Sequence, residues 1–430
     1  MAKSRKERDY LGEILVPSDS YYGAQTARAI RNFKISGLRF PQDFIRDYAI
    51  VKLASARANM RLGSLDKKKG HAIVRACDDI VFGKLSDQFV LDVYQAGAGT
   101  STNMNLNEVI ANKSIEILGG KRGDYRVVHP NDHVNMSQST NDTFHSVTHI
   151  AAYIEVRTKL LPTLERMERE LAKKGKEFRG MKKSGRTHGM FAVPITLGQE
   201  FSGYAATISQ RRKFVQKAAE SLRSLNLGGT AVGTGLNAPR GFSKEVVKEV
   251  NRITGENFTV ARNMFSMTQN TEAELQVLDA MKTLSASLIK IADDVSYFSS
   301  SDVGELSIPA VQPGSSIMPG KINPSMAEML KMVAFQVIGS DITVTLAVQS
   351  GRQELNVMMP VVAYNLLYSI EILNNAVDAF TRRLLAGVRP NKAAMEKNLK
   401  RNPITATAMA PSLGYDEVAR IVRKSAGKRK

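Results

Sequence analysis

Residues 329–338 read Met-Leu-Lys-Met-Val-Ala-Phe-Gln-Val-Ile and would leave almost no polar face on a helix. An α-helix that is apolar nearly all round is buried in a large protein or an assembly. The same character extends from about residue 326 to residue 348. This segment therefore predicts a long helix inside a homo-oligomer, for which closed symmetry is the usual arrangement.

Four further segments carry apolar residues at helical spacing. They run from about residue 147 to 178, 197 to 225, 271 to 298 and 361 to 385. Helices of about 30 residues, roughly 45 Å long, bury an apolar stripe only by packing side by side. We therefore predict a mainly α protein in which a central bundle of five long helices assembles into the multi-helix core of a homotetramer.

The length of 430 residues suits two or three domains. We expect three, with the helix bundle in residues 139–389. A smaller, mixed and mostly helical domain would occupy residues 1–138. Pro390 breaks the fifth helix, so a short C-terminal domain would occupy residues 390–430.

The net charge of +19 raises the question of a nucleic-acid partner. Part of the excess lies in two terminal clusters, residues 3–8 and 420–430, and elsewhere Lys and Arg alternate with Glu and Asp. The sequence shows no basic stripe with interleaved aromatic residues, so we expect no nucleic-acid partner. A positive field would also steer a small dianion toward a site.

The expected location is the cytoplasm, without a membrane partner. Cys77 is the only cysteine, which excludes an intrachain disulfide and suits a reducing compartment. No apolar run reaches the ~18 residues of a membrane span. The polar, basic residues 1–8 lack the apolar core of a secretory signal.

Four polar clusters resemble neither core nor ordinary surface: residues 97–105, 129–142, 184–189 and 314–324. The first cluster combines glycines with small hydroxyl and amide side chains. A glycine turn that caps a helix explains this composition as well as a binding site does. The cluster lacks the Gly-Lys-Ser/Thr ending of a nucleotide loop. In the second cluster, N-capping accounts for Thr140 or Asn141 but not for the whole polar run.

The third and fourth clusters carry candidate catalytic groups. His188 lies between a glycine and the start of a predicted helix, which makes a catalytic role as plausible as a structural one. In the fourth cluster, Gly314 and Gly320 permit the movement of an active-site loop. Lys321 and Asn323 stand where they could clamp a carboxylate.

The fourth cluster resembles the signature of the aspartase/fumarase superfamily, and the other three resemble its remaining conserved regions. The likeness runs from residues 21–26 to residues 414–416. Residues 99–103 and 139–142 resemble aspartate ammonia-lyases, because fumarases usually have Gln at position 101 and Ser in place of Thr140. Fumarases also tend to have Phe where Met358 stands.

The resemblance therefore implies a three-domain lyase that deaminates L-aspartate to fumarate and ammonia. The alternative is a fumarate hydratase, which forms fumarate and water from L-malate. Arg126 supports that alternative, since it resembles part of a fumarase secondary dicarboxylate site. A non-enzymatic protein on a lyase scaffold is disfavoured by the intact Ser315, Lys321 and His188.

The resemblance also implies roles for individual residues. Ser315 would be the base beside Lys321, and Glu328 would orient His188. Uncharged donors would hold one carboxylate and the leaving amine: Thr100, Ser139, Thr140 and Asn141. The other carboxylate would meet Thr187, Lys321 and Asn323. Ser101 and Ser316 would also bind the substrate. In the tetramer, the clusters around Thr100, His188 and Ser315 would come from different subunits.

Neither a metal nor an organic cofactor is expected. His145 and His149 have the i, i+4 spacing of zinc ligands, but the sequence offers them no third ligand. Three departures from the family pattern leave the exact substrate and regulation open. Gly189-Met190-Phe191 replaces the usual Leu-Gln-Asp, residues 299–304 replace a Gly-Pro-Arg segment, and the C-terminal domain is shorter than in bacterial aspartases.

Overall fold

The computed structural model describes residues 4–427 and shows a mainly helical chain, as predicted. Of the two basic terminal clusters, residues 3 and 428–430 lie outside the described residues. The α-helices in chain order are α1 (Ala24–Asn32), α2 (Gln42–Arg61), α3 (Lys67–Val81), α4 (Thr100–Ile117), α5 (Thr140–Glu155), α6 (Leu161–Glu177), α7 (Leu197–Ala219), α8 (Phe242–Thr254), α9 (Met264–Gln269), α10 (Glu272–Phe298), α11 (Ser325–Val348), α12 (Met359–Arg383), α13 (Lys392–Lys400), α14 (Ala410–Leu413) and α15 (Tyr415–Gly427).

The strands are short and pair only two at a time. They are β1 (Ser4–Asp9), β2 (Gly12–Pro17), β3 (Lys182–Thr187), β4 (Met190–Thr196), β5 (Ser224–Leu225), β6 (Thr259–Val260), β7 (Leu306–Ser307) and β8 (Arg389–Pro390). β1–β2, β3–β4 and β7–β8 are antiparallel pairs, whereas β5–β6 is parallel. The helices therefore form the framework, and the strands fix loops upon it.

All five long helical segments predicted from the sequence are present, and the first contains a π-helical turn. Between α5 and α6, residues Val156–Leu160 form a wider, π-helical turn. Pro162 follows in the first turn of α6. Its ring cannot donate a backbone hydrogen bond and would clash with the carbonyl group four residues earlier, and the wider turn accommodates this. The backbone therefore stays helical from residue 140 to residue 177, as the sequence predicted for residues 147–178, and the π-helical turn inside it was not predicted.

The chain divides into two compact units, each built from three segments. Unit 1 contains Met1–Arg157, Gln216–Asp279 and Gly339–Ile370. Unit 2 contains Thr158–Val215, Ala280–Ile338 and Glu371–Lys430. The predicted division at residues 138/139 and 389/390 is a different partition of the chain, and it stays a prediction.

In unit 1, helix α2 packs against α3, α5 and α8. Aromatic rings fill its contact with α5: the ring centroids of Phe44 and Phe144 lie 5.5 Å apart at an angle of 61°. The turn before α4 rests on the same ring. A Cβ atom on Gly99 would lie 2.1 Å from Phe144, and Gly99 has a φ of +87°. Glycine thus lets the start of α4 approach α5 closely.

In unit 2, the β3–β4 hairpin is held by the segment that follows α12. Helix α13 packs against β3. The buried Asn402 donates hydrogen bonds from Nδ2 to the Ala192 carbonyl oxygen (2.6 Å) and to Ser184 Oγ (3.2 Å). The short C-terminal region therefore supports the hairpin that carries Thr187 and His188.

Helix α11 is the most apolar long helix, and by length and composition alone it could cross a membrane. One third of its most apolar window is buried. Met332, Phe335, Ile342 and Leu346 are each more than half exposed. A single helix of this kind is weak evidence for a membrane span, because core helices of soluble proteins meet the same criterion.

Candidate active site

The first part of the site is the start of α4 in unit 1. The glycine turn places Thr100 at the first helical position, where its side chain is exposed and its hydroxyl donates to the Gly97 carbonyl oxygen (3.2 Å). Ser101, the next residue, is 8% exposed. The first turn of a helix has backbone N–H groups without intrahelical partners, and its dipole favours an anion there.

The start of α5 forms the second part. Ser139 is the N-cap residue: its Oγ accepts from Asn141 N (3.2 Å), and its own N–H donates to Asp142 Oδ1 (2.9 Å). The other oxygen of Asp142 accepts from the N–H groups of Gly228 and Thr230, both at 3.0 Å. Burial raises the pKa of Asp142 to about 6, against the opposing effect of these N–H groups.

One side-chain hydrogen bond joins the two helix starts. Asn103 Nδ2, on α4, donates to Thr140 Oγ1, on α5, at 3.0 Å. Asn103 Oδ1 in turn accepts from Lys52 Nζ at 2.7 Å. Lys52 is fully buried in α2, and burial lowers its pKa to about 7. Uncharged donors, two helix N-termini and a nearby cation together suit the binding of a carboxylate.

The third candidate group, described within unit 2 alone, is the tip of the β3–β4 hairpin. His188 and Gly189 form the tight turn between Thr187 and Met190, with φ values of 57° and 74°. Such turns require positive φ at both central residues, which glycine adopts most readily. The unusual Gly189 therefore fits the backbone, and the exposed His188 is presented at the tip.

Buried ion pairs join strand β3 of this hairpin to Glu305. Arg186 binds Glu305 through two hydrogen bonds of 2.9 and 2.7 Å, and Lys183 lies 3.2 Å from the same carboxylate. Burial raises the pKa of Glu305, but Arg186 and Lys183 lower it by more, so this carboxyl stays ionised. A fully paired charge cluster holds the strand geometry rigid.

The fourth part is the loop that carries Ser315, also in unit 2. Gly314 N donates to the Lys321 carbonyl oxygen and Asn323 Nδ2 donates to the Gly314 carbonyl oxygen, both at 2.8 Å. Ser315 Oγ accepts from the N–H groups of Ile317 (3.2 Å) and Met318 (3.0 Å). Two N–H groups aimed at one oxygen stabilise negative charge on it.

The remaining predicted residues have few contacts within one chain. Ser316, Lys321 and Glu328 are exposed, and Glu328 lies in the first turn of α11. Within the described residues, His188 and Glu328 do not form a hydrogen bond or an ion pair with each other. The predicted orientation of His188 by Glu328 therefore stays a prediction, as do the predicted catalytic roles.

His145 and His149 are buried in α5. His149 contacts the Ser224 carbonyl oxygen through Nδ1 (2.9 Å) and Glu274 through Nε2 (3.2 Å). Burial lowers the pKa of His149, but Glu274 raises it by more. Over residues 4–427, no group of three or more His, Cys, Asp or Glu side chains is arranged to hold a metal ion.

The sequence interpretation missed Lys52 and did not assign a role to Asn103. The available signal was weak: Lys52 is a single charge within the apolar run Ala49-Ile50-Val51-Lys52-Leu53-Ala54. Asn103 lies inside the first polar cluster, but the contacts that matter come from distant parts of the chain.

Comparison with known proteins decides the family. A family of lyases matches residues 12–339, and a class II fumarate hydratase from Brucella suis is 46% identical over 98% of this chain and 92% of that protein. This chain belongs to the aspartase/fumarase family of lyases. An aspartate ammonia-lyase from Bacillus subtilis is 46% identical over 98% of the chain and 89% of that protein.

A solved structure of this lyase family confirms the fold. The crystal structure of a class II fumarase from Schistosoma mansoni matches all of this chain and 94% of that one, with a TM-score of 0.96 and 34% identity. Other similar relatives include class II fumarate hydratases from several bacteria. The relatives therefore include both class II fumarate hydratases and aspartate ammonia-lyases, the two activities considered from the sequence.

Proposed function

We propose that this lyase interconverts L-malate and fumarate by removing and adding water. The observation that carries the proposal is the position of Ser315 Oγ, which accepts two backbone N–H groups on an exposed loop. A serine oxyanion is unfavourable in water, and these donors together with the ammonium group of Lys321 favour it once the loop excludes water.

In the proposed reaction, Ser315 takes a proton from the carbon next to one carboxylate. Negative charge then builds up on that carboxylate, and fixed donors stabilise it. Thr100, Ser101, Ser139, Thr140 and Asn141 supply uncharged donors and helix N-termini. The second carboxylate meets Thr187, Ser316, Lys321 and Asn323. The leaving hydroxyl must gain a proton to depart as water, and we assign the donation of that proton to His188, oriented by Glu328.

Two observations favour water over ammonia as the leaving group, in addition to the fumarate hydratases among the relatives. Thr140 Oγ1 already accepts from Asn103 (3.0 Å), so its own hydrogen remains for a ligand. A donor suits a hydroxyl or carboxylate oxygen but not an ammonium group, which is itself only a donor. Arg126 also lines a basic cleft of about 660 Å³ with Lys121, Arg122 and His129, which would suit a second dicarboxylate.

Deamination of L-aspartate is the second candidate, and Asn141 favours it. Asn141 Nδ2 donates to the Ala231 carbonyl oxygen at 2.7 Å. Its Oδ1 is therefore the part of the amide available to a ligand, and an oxygen acceptor suits an ammonium group. The aspartate ammonia-lyase-like residues at 99–103 and 139–142 support the same candidate.

We also propose that the enzyme is a cytoplasmic homotetramer with shared sites. Along α11, the exposed residues Met332, Phe335, Ile342 and Leu346 follow the 3-7-4 spacing of a helix-packing seam. A seam of this kind is covered by other copies of the chain in a closed oligomer. Mixing Ser315→Ala chains with His188→Ala chains should then restore part of the activity, whereas a fully active monomer in light scattering would contradict the proposal.

The absorbance of fumarate provides the deciding assay. Purified protein is given L-malate or, separately, L-aspartate, and the initial rates are compared at saturating substrate. Faster formation of fumarate from L-malate supports the hydratase. Faster formation from L-aspartate would move the assignment to the ammonia-lyase, and fumarate from neither substrate would contradict both.

A further inference from the structure

Lys52 is a fully buried lysine beneath the starts of α4 and α5, and the reaction proposed above does not use it. Its Nζ lies 2.7 Å from Asn103 Oδ1, 2.9 Å from Asn135 Oδ1 and 3.0 Å from Gln138 Oε1. Burying an ammonium group is costly unless its hydrogen bonds are satisfied. Here the three N–H donors of a protonated lysine meet three amide oxygens.

The charge on Lys52 decides which way the amide of Asn103 faces. An ammonium group only donates, so while Lys52 holds its proton the atom of Asn103 that faces it must be the oxygen. Tyr48 reinforces this orientation, because its hydroxyl donates to the same Oδ1 at 3.0 Å. The nitrogen of Asn103 is thereby directed to Thr140 Oγ1 at 3.0 Å.

The consequence reaches the proposed substrate-binding surface. A threonine hydroxyl has one hydrogen to donate. Because Thr140 Oγ1 accepts from Asn103, that hydrogen is available to a ligand at the N-terminus of α5. If the amide of Asn103 were reversed, its oxygen would take the hydrogen, and Thr140 would present only lone pairs to a carboxylate.

We propose that Lys52 is a positioning residue that fixes the amide of Asn103 so that Thr140 acts as a hydrogen-bond donor to the substrate. The inference rests on the proposed contact between Thr140 and a dicarboxylate. Lys52 itself acts only through Asn103. Lys52 therefore determines whether Thr140 donates or accepts a hydrogen bond at the site, and it does not supply a binding group itself.

Two variants test the contacts from Lys52 through Asn103 to Thr140, one at Lys52 and one at Asn103. Lys52→Met keeps the length of the side chain but removes the charge, so the orientation of the Asn103 amide then depends only on the weaker contacts with Tyr48 and Asn135. Asn103→Asp keeps Lys52 paired, now with a carboxylate, and replaces the donor to Thr140 by an acceptor. Each change should weaken fumarate binding roughly tenfold to a hundredfold, the effect of one hydrogen bond to a charged group.

Lys174→Met is the matched control. Lys174 is also buried, at 5% exposure, and its Nζ donates to the Val388 carbonyl oxygen at 3.1 Å in unit 2. It should lower thermal stability as any lost buried lysine contact does, but leave the Kd for fumarate unchanged. The double variant Lys52→Met/Asn103→Asp should bind fumarate about as weakly as either single variant, because both changes act on the same hydrogen bond between Asn103 and Thr140.

Calorimetric titration with fumarate measures Kd directly, and circular dichroism confirms folding. Weaker binding by both variants, non-additive in the double variant, supports the proposal. An unchanged Kd in folded Lys52→Met overturns it; if that variant does not fold, an unchanged Kd in Asn103→Asp overturns it instead. Wild-type protein that binds no fumarate also overturns it. Wild-type protein that binds fumarate but turns over neither substrate contradicts only the proposed function.

Discussion

Replacing Ser315 with alanine removes the oxygen that accepts the N–H groups of Ile317 (3.2 Å) and Met318 (3.0 Å). If this oxygen takes the proton, kcat should fall by the roughly 10²–10⁴-fold that a positioned base contributes. At about 1.36 kcal/mol per decade, this is a loss of about 3–5 kcal/mol of transition-state stabilisation. Binding of an unreactive dicarboxylate such as succinate should survive, because the predicted carboxylate-binding residues remain.

The fold should not change in this variant. The side chains of Ile317 and Met318 are 83% and 50% exposed, so water can reach the freed N–H groups. The unfolding free energy should therefore change by less than about 0.5 kcal/mol. Kcat is measured from fumarate absorbance at saturating L-malate, and succinate binding is measured by calorimetry. Ser307→Ala, an exposed serine on β7, is the matched control. A folded Ser315→Ala enzyme that keeps most of its kcat would refute Ser315 as the base.

Three further predictions test the loop, the hairpin and the buried lysine. Gly314→Ala should lower kcat about tenfold or more with little change in Tm, because its Cβ would lie 2.6 Å from a loop carbonyl oxygen; wild-type kinetics would contradict this. Asn402→Ala should cost about 1–2 kcal/mol of unfolding free energy, since two hydrogen bonds to the hairpin disappear; an unchanged Tm would contradict it. Burial lowers the pKa of Lys52 to about 7, against 10.5 as its ordinary value. Between pH 7 and 10 the unfolded chain therefore holds a proton that the folded chain has released, so the stability of the wild type should rise with pH relative to Lys52→Met. Parallel pH profiles in urea titrations would contradict that expectation. The ionisable groups that face Lys52 are Asp142, Cys77 and Tyr48.

The long helices could be predicted because their apolar spacing repeats over whole segments. Helix α10 begins at Glu272 and ends at Phe298, against the predicted 271–298. The π-helical turn between α5 and α6 could not be predicted from the same pattern, because apolar residues continue through it. Only Pro162 marks the position, and proline is also common in the first turn of an uninterrupted helix.

The polar clusters indicated where the site residues lie, since glycines, hydroxyls and amides replaced the apolar pattern there. The sequence could not show how these groups bond. Asn323 was expected to clamp a carboxylate, and the structure adds that one hydrogen of its Nδ2 is donated to the Gly314 carbonyl oxygen and closes the loop. Lys52 gave no usable signal, because its partners Asn135 and Gln138 are distant in the chain and only folding brings them together.

Proton NMR of fumarate incubated with the wild-type enzyme in D₂O tests directly whether this enzyme hydrates fumarate. The proposed reaction adds water across the double bond and delivers the hydrogen to the carbon next to a carboxylate. We predict that malate accumulates with one deuterium on its C3 carbon. Adding ammonium to a parallel sample shows whether aspartate with the same label forms faster. Fumarate that is not consumed, or a product without deuterium on that carbon, would contradict the account.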